Sequence, residues 1–311
     1  MHPAPSVIAF TTLSGLGYGL AFLLCLGLGN PAALSTKIAW FVALTLISLG
    51  LLSSTLHLGN PQRAWRAFSQ WRSSWLSREG CMAIITFVPL TMLAAMSIFA
   101  ESYSFPIGLI GAVCCVATVY CTAMIYASLR TVAVWHTPLT PLSYLGFSLA
   151  SGLVVYRAFF AEPSAGRDWV GILAIIALLV AFFIKYLWAR RGMVIDYGGS
   201  TMATATGLGH LGKVRLLERP HSMENYLTNE MVFRIGRKHN SILWRIMALL
   251  ALFIPVVLAA LAIAMGEGAN WMIALAALSL IAGLLVERWL FFAGAKHAVA
   301  LYYGGNQPRR E

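Results

Sequence analysis

The chain has 311 residues, of which 59% are hydrophobic and only 11% charged, and its formal net charge is +11. Mean hydropathy is +0.76. Soluble domains carry about a quarter charged residues, so the composition excludes an ordinary soluble enzyme and points to an integral membrane protein. A basic balance would suggest nucleic acid in a soluble chain; here the Lys and Arg cluster between apolar runs, where retention of loops on one side of a membrane accounts for them.

Met1–Ser6 lacks the Lys or Arg of a signal-peptide n-region, and the apolar run from Val7 is too long for an h-region, so it reads as a retained first span. Apolar runs long enough to cross about 30 Å of hydrocarbon fall near 7–28, 37–58, 81–100, 106–128, 139–161, 169–189, 243–265 and 271–293. The dyad alternation of barrel strands is absent, and only helices otherwise satisfy the backbone in lipid. The expected fold is therefore an all-α bundle of about eight transmembrane helices forming one membrane domain over 1–311. Gly15, Gly17, Gly19, Gly27, Gly29 and Gly50 in and beside the first two spans suit close helix packing.

Between the second and third spans lies His57–Gly80, HLGNPQRAWRAFSQWRSSWLSREG, which concentrates charge and aromatic residues in a chain otherwise poor in charge. Asn60-Pro61 reads as a helix start, with Asn as cap and Pro at the first helical position. Trp65, Phe68, Trp71 and Trp75 then recur at roughly helical spacing, flanked by Arg63, Arg66, Arg72 and Arg78. Such a helix belongs in the headgroup layer, as a plain interfacial anchor or as one wall of a pocket lined by His57, Arg63 and Glu79.

The segment Tyr126–Tyr144 offers Arg130, Trp135 and His136, with Pro138 and Pro141 shaping the turn into the fifth span. Arg157 and Lys185 sit near span ends, where long cationic side chains snorkel to the surface. Glu287 and Arg288 project about 100° apart on a helix, so they need not pair, and either can reach a cavity between helices. His57, Arg130, Trp135, His136 and Arg288 thus gather with Arg63 and Glu79 at one membrane surface. A quinone head needs a donor at each carbonyl, an aromatic wall and a route for protons. His titrates near neutrality, and Arg supplies a fixed donor and charge for the reduced carrier.

The stretch 190–242 is too long for a simple helix connection and is expected to be ordered by packing on a partner protein. Within it, Gly207–Gly212 matches G-x-G-x-x-G, but it stands in a loop between spans rather than a βαβ unit, so tight turns are a better account than a dinucleotide. The seven His are not paired deep in spans, so no haem is expected. The five Cys show no metal-ligand spacing.

Of the 22 Lys and Arg, only Lys37, Arg157 and Arg167 fall on the face opposite the termini, leaving 19 on the face that carries them. That basic face is expected to be cytoplasmic.

HLGNPQRAW followed by LSREG, then TVAVW with TP, and RWLFF with KH in the last span resemble the membrane-anchor subunits of DMSO-reductase-type molybdoenzymes, over all eight spans. The resemblance implies an anchor with eight helices and no haem. It implies a quinone site, of ubiquinone or menaquinone, with His57, Gly59, Arg63 and Glu79 at quinone-associated positions and Trp65 where the family has an aromatic. It implies an iron–sulfur subunit docked on the anchor and a molybdopterin catalytic subunit beyond it; Arg66, Arg72, Arg78, Lys213, Arg215 and Arg234 are the residues expected to dock them. The long GGSTMATATGLG loop and the ALYYG tail look most like the anchors of quinone-linked sulfite dehydrogenases, in a bacterial inner membrane with termini and large loops cytoplasmic. That makes the expected role electron transfer from sulfite oxidation to quinone. A quinol-oxidising anchor of a DMSO reductase, a secondary transporter and a purely structural anchor stay open beside it.

Overall fold

The computed structural model describes residues 4–56, 60–160, 168–195, 197, 199–218, 239–266 and 268–303. Among the described residues, eight helices are long and apolar enough to cross a membrane: α1 Pro5–Cys25, α2 Leu34–Thr55, α3 Trp75–Ala100, α4 Phe105–Ala127, α5 Leu139–Phe159, α6 Trp169–Val194, α8 Asn240–Met265 and α9 Asn270–Ala293. A short α7, Met202–Thr206, lies in the long loop. No strand occurs among the described residues. The protein is an all-α, multi-pass membrane bundle.

The eight spans match the apolar runs, with one displacement that matters. Helix α3 begins at Trp75, six residues before the apolar run, because Ser74 caps it by accepting from the Ser77 N–H. Arg78 and Glu79 therefore lie in a helix, not in the connecting stretch. Pro61 opens a 3₁₀ segment, Pro61–Gln70, as expected of Pro at N1, although the Asn60 side chain makes no capping bond.

Helix α1 is the axis of the bundle, and its small residues explain why. A Cβ on Gly19 would lie 1.9 Å from the Ser148 carbonyl oxygen, and one on Gly17 would lie 2.8 Å from Ile47 Cγ1. Only glycine lets α5 and α2 approach α1 this closely, and in lipid such packing, rather than the hydrophobic effect, holds helices together. At α8–α9, Gly283 stands against Ala251 in the same way. There α8 contains a π turn at Leu249–Phe253 just ahead of Pro255. Ser279 donates to the Leu250 carbonyl at 2.8 Å, satisfying a group inside the disturbed turn.

Arg157 does not snorkel. It is buried in an ion pair with Asp168, donates to Asn270 Oδ1 at 3.0 Å and to the Phe160 carbonyl at 3.2 Å, and so ties α5 to the starts of α6 and α9. Asp168 also caps α6 by accepting from the Gly171 N–H at 2.7 Å. Lys185 is likewise fully buried, 1% exposed, with its ammonium 2.6 Å from Glu287 Oε1. Both side chains lie too far inside the bundle for their stems to reach water, so partners within the protein take the place of the surface.

The basic-face connections pack on the helix ends. Arg191 donates to the Ala133 carbonyl at 3.0 Å and to that of His136 at 3.3 Å, pinning the 129–138 loop to α6. The described part of the long loop packs on the C-terminal 3₁₀ segment Ala298–Tyr303, with Tyr197 buried against Ala300 and Leu301. Tyr302 Oη donates to the Ala205 carbonyl at 2.8 Å.

Candidate functional site

Helix α3 carries Glu79 into the bundle one turn below the basic face, where it is 5% exposed. Its Oε1 accepts from the Thr122 hydroxyl of α4 at 2.8 Å. Among the described residues no Lys, Arg or His pairs with it. A buried carboxyl without a cation is costly in lipid, and by default such a group is functional. Its neighbour Gly80 leaves room for Phe68: a Cβ there would stand 3.0 Å from Phe68 Cε1. The 3₁₀ segment thus seats one aromatic ring directly over the start of α3.

The remainder of that segment faces outward. Arg63 and Trp65 are exposed, Trp65 at 66%. Arg66 and Arg72 are exposed too and lie over Trp65 and Trp71, at 5.6 and 5.3 Å from the ring centroids. Arg78 is committed within the chain: it donates to the carbonyls of Trp71 and Arg72 at 2.9 and 2.7 Å and covers the Trp75 ring at 4.3 Å. Lys213 and Arg215 are exposed on the long loop. His57, Gly59 and Arg234 lie outside the described residues.

The second group of expected site residues lies across the bundle. Trp135 folds beneath the end of α9, donates from Nε1 to the Phe291 carbonyl at 3.0 Å and stacks on the Phe291 ring. His136 is exposed, with Nδ1 2.7 Å from the Ala127 carbonyl; Arg130 is exposed on the same loop. Arg288 is buried, and although sequence neighbours need not pair, its Nε donates to Glu287 Oε2. Lys185, Glu287 and Arg288 therefore form one buried cluster, two cations around one carboxylate. Aromatic faces surround it: Lys185 Nζ lies 3.9 Å from the Trp188 ring centroid, and Arg288 Cζ lies 3.9 Å from that of Tyr144.

Tyr126 and Tyr144 connect the two groups. Tyr126 lies one turn beyond Thr122 on α4 and stacks on Tyr144 of α5, ring centroids 6.0 Å apart. Thr122, one turn of α4 and the ring contact between half-buried Tyr126 and buried Tyr144 thus lie between Glu79 and the Arg288, Glu287 and Lys185 cluster. Beside it, a cavity of about 20 Å³ is bordered by Thr12, Tyr144, Ser148 and Arg288, room for a water. The Thr12 hydroxyl is buried with no partner among the described residues. Sequence reasoning missed Thr122, Tyr126 and Tyr144. The available signal was the Thr118, Thr122, Tyr126 series at four-residue steps inside an apolar span.

The profile of the DMSO reductase anchor subunit (DmsC) family matches residues 1–304. The chain is also 34% identical, over 331 aligned positions, to a sulfite dehydrogenase subunit of Allochromatium vinosum, covering 97% of this chain and 99% of that protein. A match across every span, joined to eight observed helices, leaves one assignment: the chain belongs to the DMSO reductase anchor subunit family.

Proposed function

We propose that this anchor subunit seats an iron–sulfur electron-transfer subunit and a molybdopterin catalytic subunit on its basic, cytoplasmic face and delivers their electrons to membrane quinone. The donor we favour is sulfite, because the relative named as part of a sulfite dehydrogenase matches this chain nearly end to end.

The observation that carries the quinone reading is Glu79, a carboxyl buried at the edge of the bundle with a hydroxyl donor and no cation partner among the described residues. The surrounding residue types suit a quinone head. Phe68, against Gly80, and Trp75, one turn before Glu79, put aromatic rings at the start of α3, and Arg63 supplies a cation on the segment above. When bound, quinone takes up two electrons and two protons. In this reading His57 and Glu79 pass protons inward from the cytoplasmic face, Arg63 and Trp65 hold the head with Gly59 allowing close approach, and Thr122 fixes the rotamer of the carboxyl. Arg130, Trp135, His136 and Arg288 lie across the bundle, beyond Tyr126, with Arg130 and His136 exposed on their loop. Arg66, Arg72, Lys213, Arg215 and Arg234 lie on the connections that meet the partner, while Arg78 holds the 3₁₀ segment in place.

The test is purification of the tagged chain with its partners, metal analysis, and assay with sulfite plus quinone against quinol plus DMSO. Molybdenum and iron in the complex, sulfite-dependent quinone reduction, and loss of that rate in Glu79→Gln support the reading. A complex active only with quinol and DMSO would reverse the direction of electron flow, the alternative that the family's name favours. An E79Q complex with unchanged quinone kinetics would remove Glu79 from the site.

A further inference from the structure

A groove of about 310 Å³ lies between α2 and α3, lined by Phe41, Leu44, Ser48 and Leu49 of one helix and Ala94 and Ile98 of the other. Phe41, Leu49 and Ile98 are exposed, so the groove opens sideways toward the hydrocarbon of the bilayer. None of these residues belongs to the quinone site proposed above.

One end of the groove is charged, and the charges are in register with its walls. Lys37, Phe41, Leu44 and Ser48 follow one another at steps of three and four residues along one face of α2, as do Ala94, Ile98 and Glu101 along α3. Lys37 and Glu101 meet at the membrane face opposite the basic one, the ammonium 2.9 Å from Glu101 Oε1. Glu101 is also the single non-glycine residue with a positive φ, 49°, among the described residues. It ends α3 in the left-handed conformation that glycine or asparagine ordinarily supplies, so an acid stands where the backbone favours another residue.

The length of the groove identifies its occupant. From Lys37 to Leu49 is roughly 18 Å along α2, a little over half of the ~30 Å hydrocarbon core. A membrane helix of a second copy would need the whole thickness, and a quinone tail reaching from Glu79 would enter from the other face. A phospholipid fits one leaflet, with hydrocarbon in the groove and its head at the rim. The ion pair then selects the head: the Lys37 ammonium keeps N–H donors to spare, and the Glu101 side chain, 60% exposed, keeps acceptor capacity. We propose that the groove binds one phospholipid of the leaflet opposite the basic face, with an acyl chain between α2 and α3, its phosphate on Lys37 and a headgroup ammonium on Glu101. A purely anionic head would gain Lys37 but meet the Glu101 carboxylate.

A clamp between helices does not account for the pair. Exposed ion pairs add little to stability, and this end of the bundle is already tied. Ser97 Oγ donates to the Pro31 carbonyl at 2.8 Å, and Tyr103 Oη donates to that of Cys25 at 2.7 Å.

The experiment is native mass spectrometry of the purified complex, stripped of lipid by detergent exchange and returned to nanodiscs of equal phosphatidylethanolamine and phosphatidylglycerol. The wild type should retain the ethanolamine lipid over the glycerol lipid by about threefold, the size of one exposed charge contact. Glu101→Gln removes the partner of the headgroup ammonium and frees Lys37 for phosphate alone, so the preference should vanish or reverse. Ser48→Phe fills the groove from a half-buried position and should abolish retention of either lipid; Leu44→Trp serves if S48F fails to assemble. Equal retention of the two lipids by the wild type, a preference that E101Q leaves in place, or retention undiminished in S48F and L44W overturns the proposal. So does a wild-type dimer that S48F dissociates, which would give the groove to a second copy, or quinone retained by the wild type and lost in S48F in place of phospholipid.

Discussion

Arg157 is the residue whose removal should cost the bundle most, because its three partners come from the ends of three different helices. Arg157→Met keeps most of the stem and deletes the guanidinium. The ion pair to Asp168 and the bonds to Asn270 and the Phe160 carbonyl are lost together. Breaking a buried pair by removing one member costs about 3–5 kcal/mol, since the other charge is stranded. Asp168 is stranded incompletely here, because Oδ1 still accepts from the Gly171 N–H at 2.7 Å. The expected loss is therefore at the lower end, about 3 kcal/mol, roughly two powers of ten in the folded-to-unfolded ratio. R157M/D168N should recover at least half of it, since Asn still caps α6 and no charge remains. Unfolding of the solubilised chain by denaturing detergent, followed to a free energy for wild type, both single variants and the double, measures each step. An R157M value within about 1 kcal/mol of wild type, or a double variant no better than the worse single one, would refute the account of Arg157 as a buried three-way tie.

Two smaller tests address packing and pH. Gly19→Ala should lower the thermal midpoint of the purified protein, because its Cβ would sit 1.9 Å from a backbone oxygen that cannot yield without moving α5. Gly15→Ala, with no heavy atom within 4 Å of the new Cβ, should be neutral or stabilising by about 0.5–1 kcal/mol from helix propensity, so the pair of midpoints separates crowding from composition. Burial pushes the His297 imidazole below its ordinary range, and its Nδ1 accepts from the Val299 N–H at 3.3 Å, a bond that requires that nitrogen to be unprotonated. With the folded value lowered, the stabilisation is full above about pH 6.5 and declines as pH falls through the lowered value. Hydrogen exchange at Ala298–Tyr303 should accelerate below that point in the wild type and lose its pH step in His297→Gln.

The spans were legible because the bilayer imposes a length and an apolar content that no other fold class needs, and the close packing of the first two spans was legible in their glycines. The site was legible only where chemistry is concentrated in sequence. His57–Gly80 advertises itself by density of charge and aromatic residues, and it led directly to Glu79. Lys185 and Arg157 were misread for the converse reason: each stands alone in an apolar run near a span end, the setting in which a long cationic side chain ordinarily reaches the headgroups. What decides between snorkelling and burial is the neighbour on another helix, Glu287 for one and Asp168 for the other. Those partners are 102 and 11 residues away in the chain, and nothing local marks them. Tyr126 and Tyr144 pose the same problem in milder form, since an aromatic residue in a span is ordinary until another ring is seen stacked on it. A lone charge in a transmembrane run is therefore better treated as a question about the opposite helix than as a surface residue. In this chain that question leads from Lys185 on α6 to Glu287 on α9, and from Arg157 on α5 to Asp168 at the start of α6.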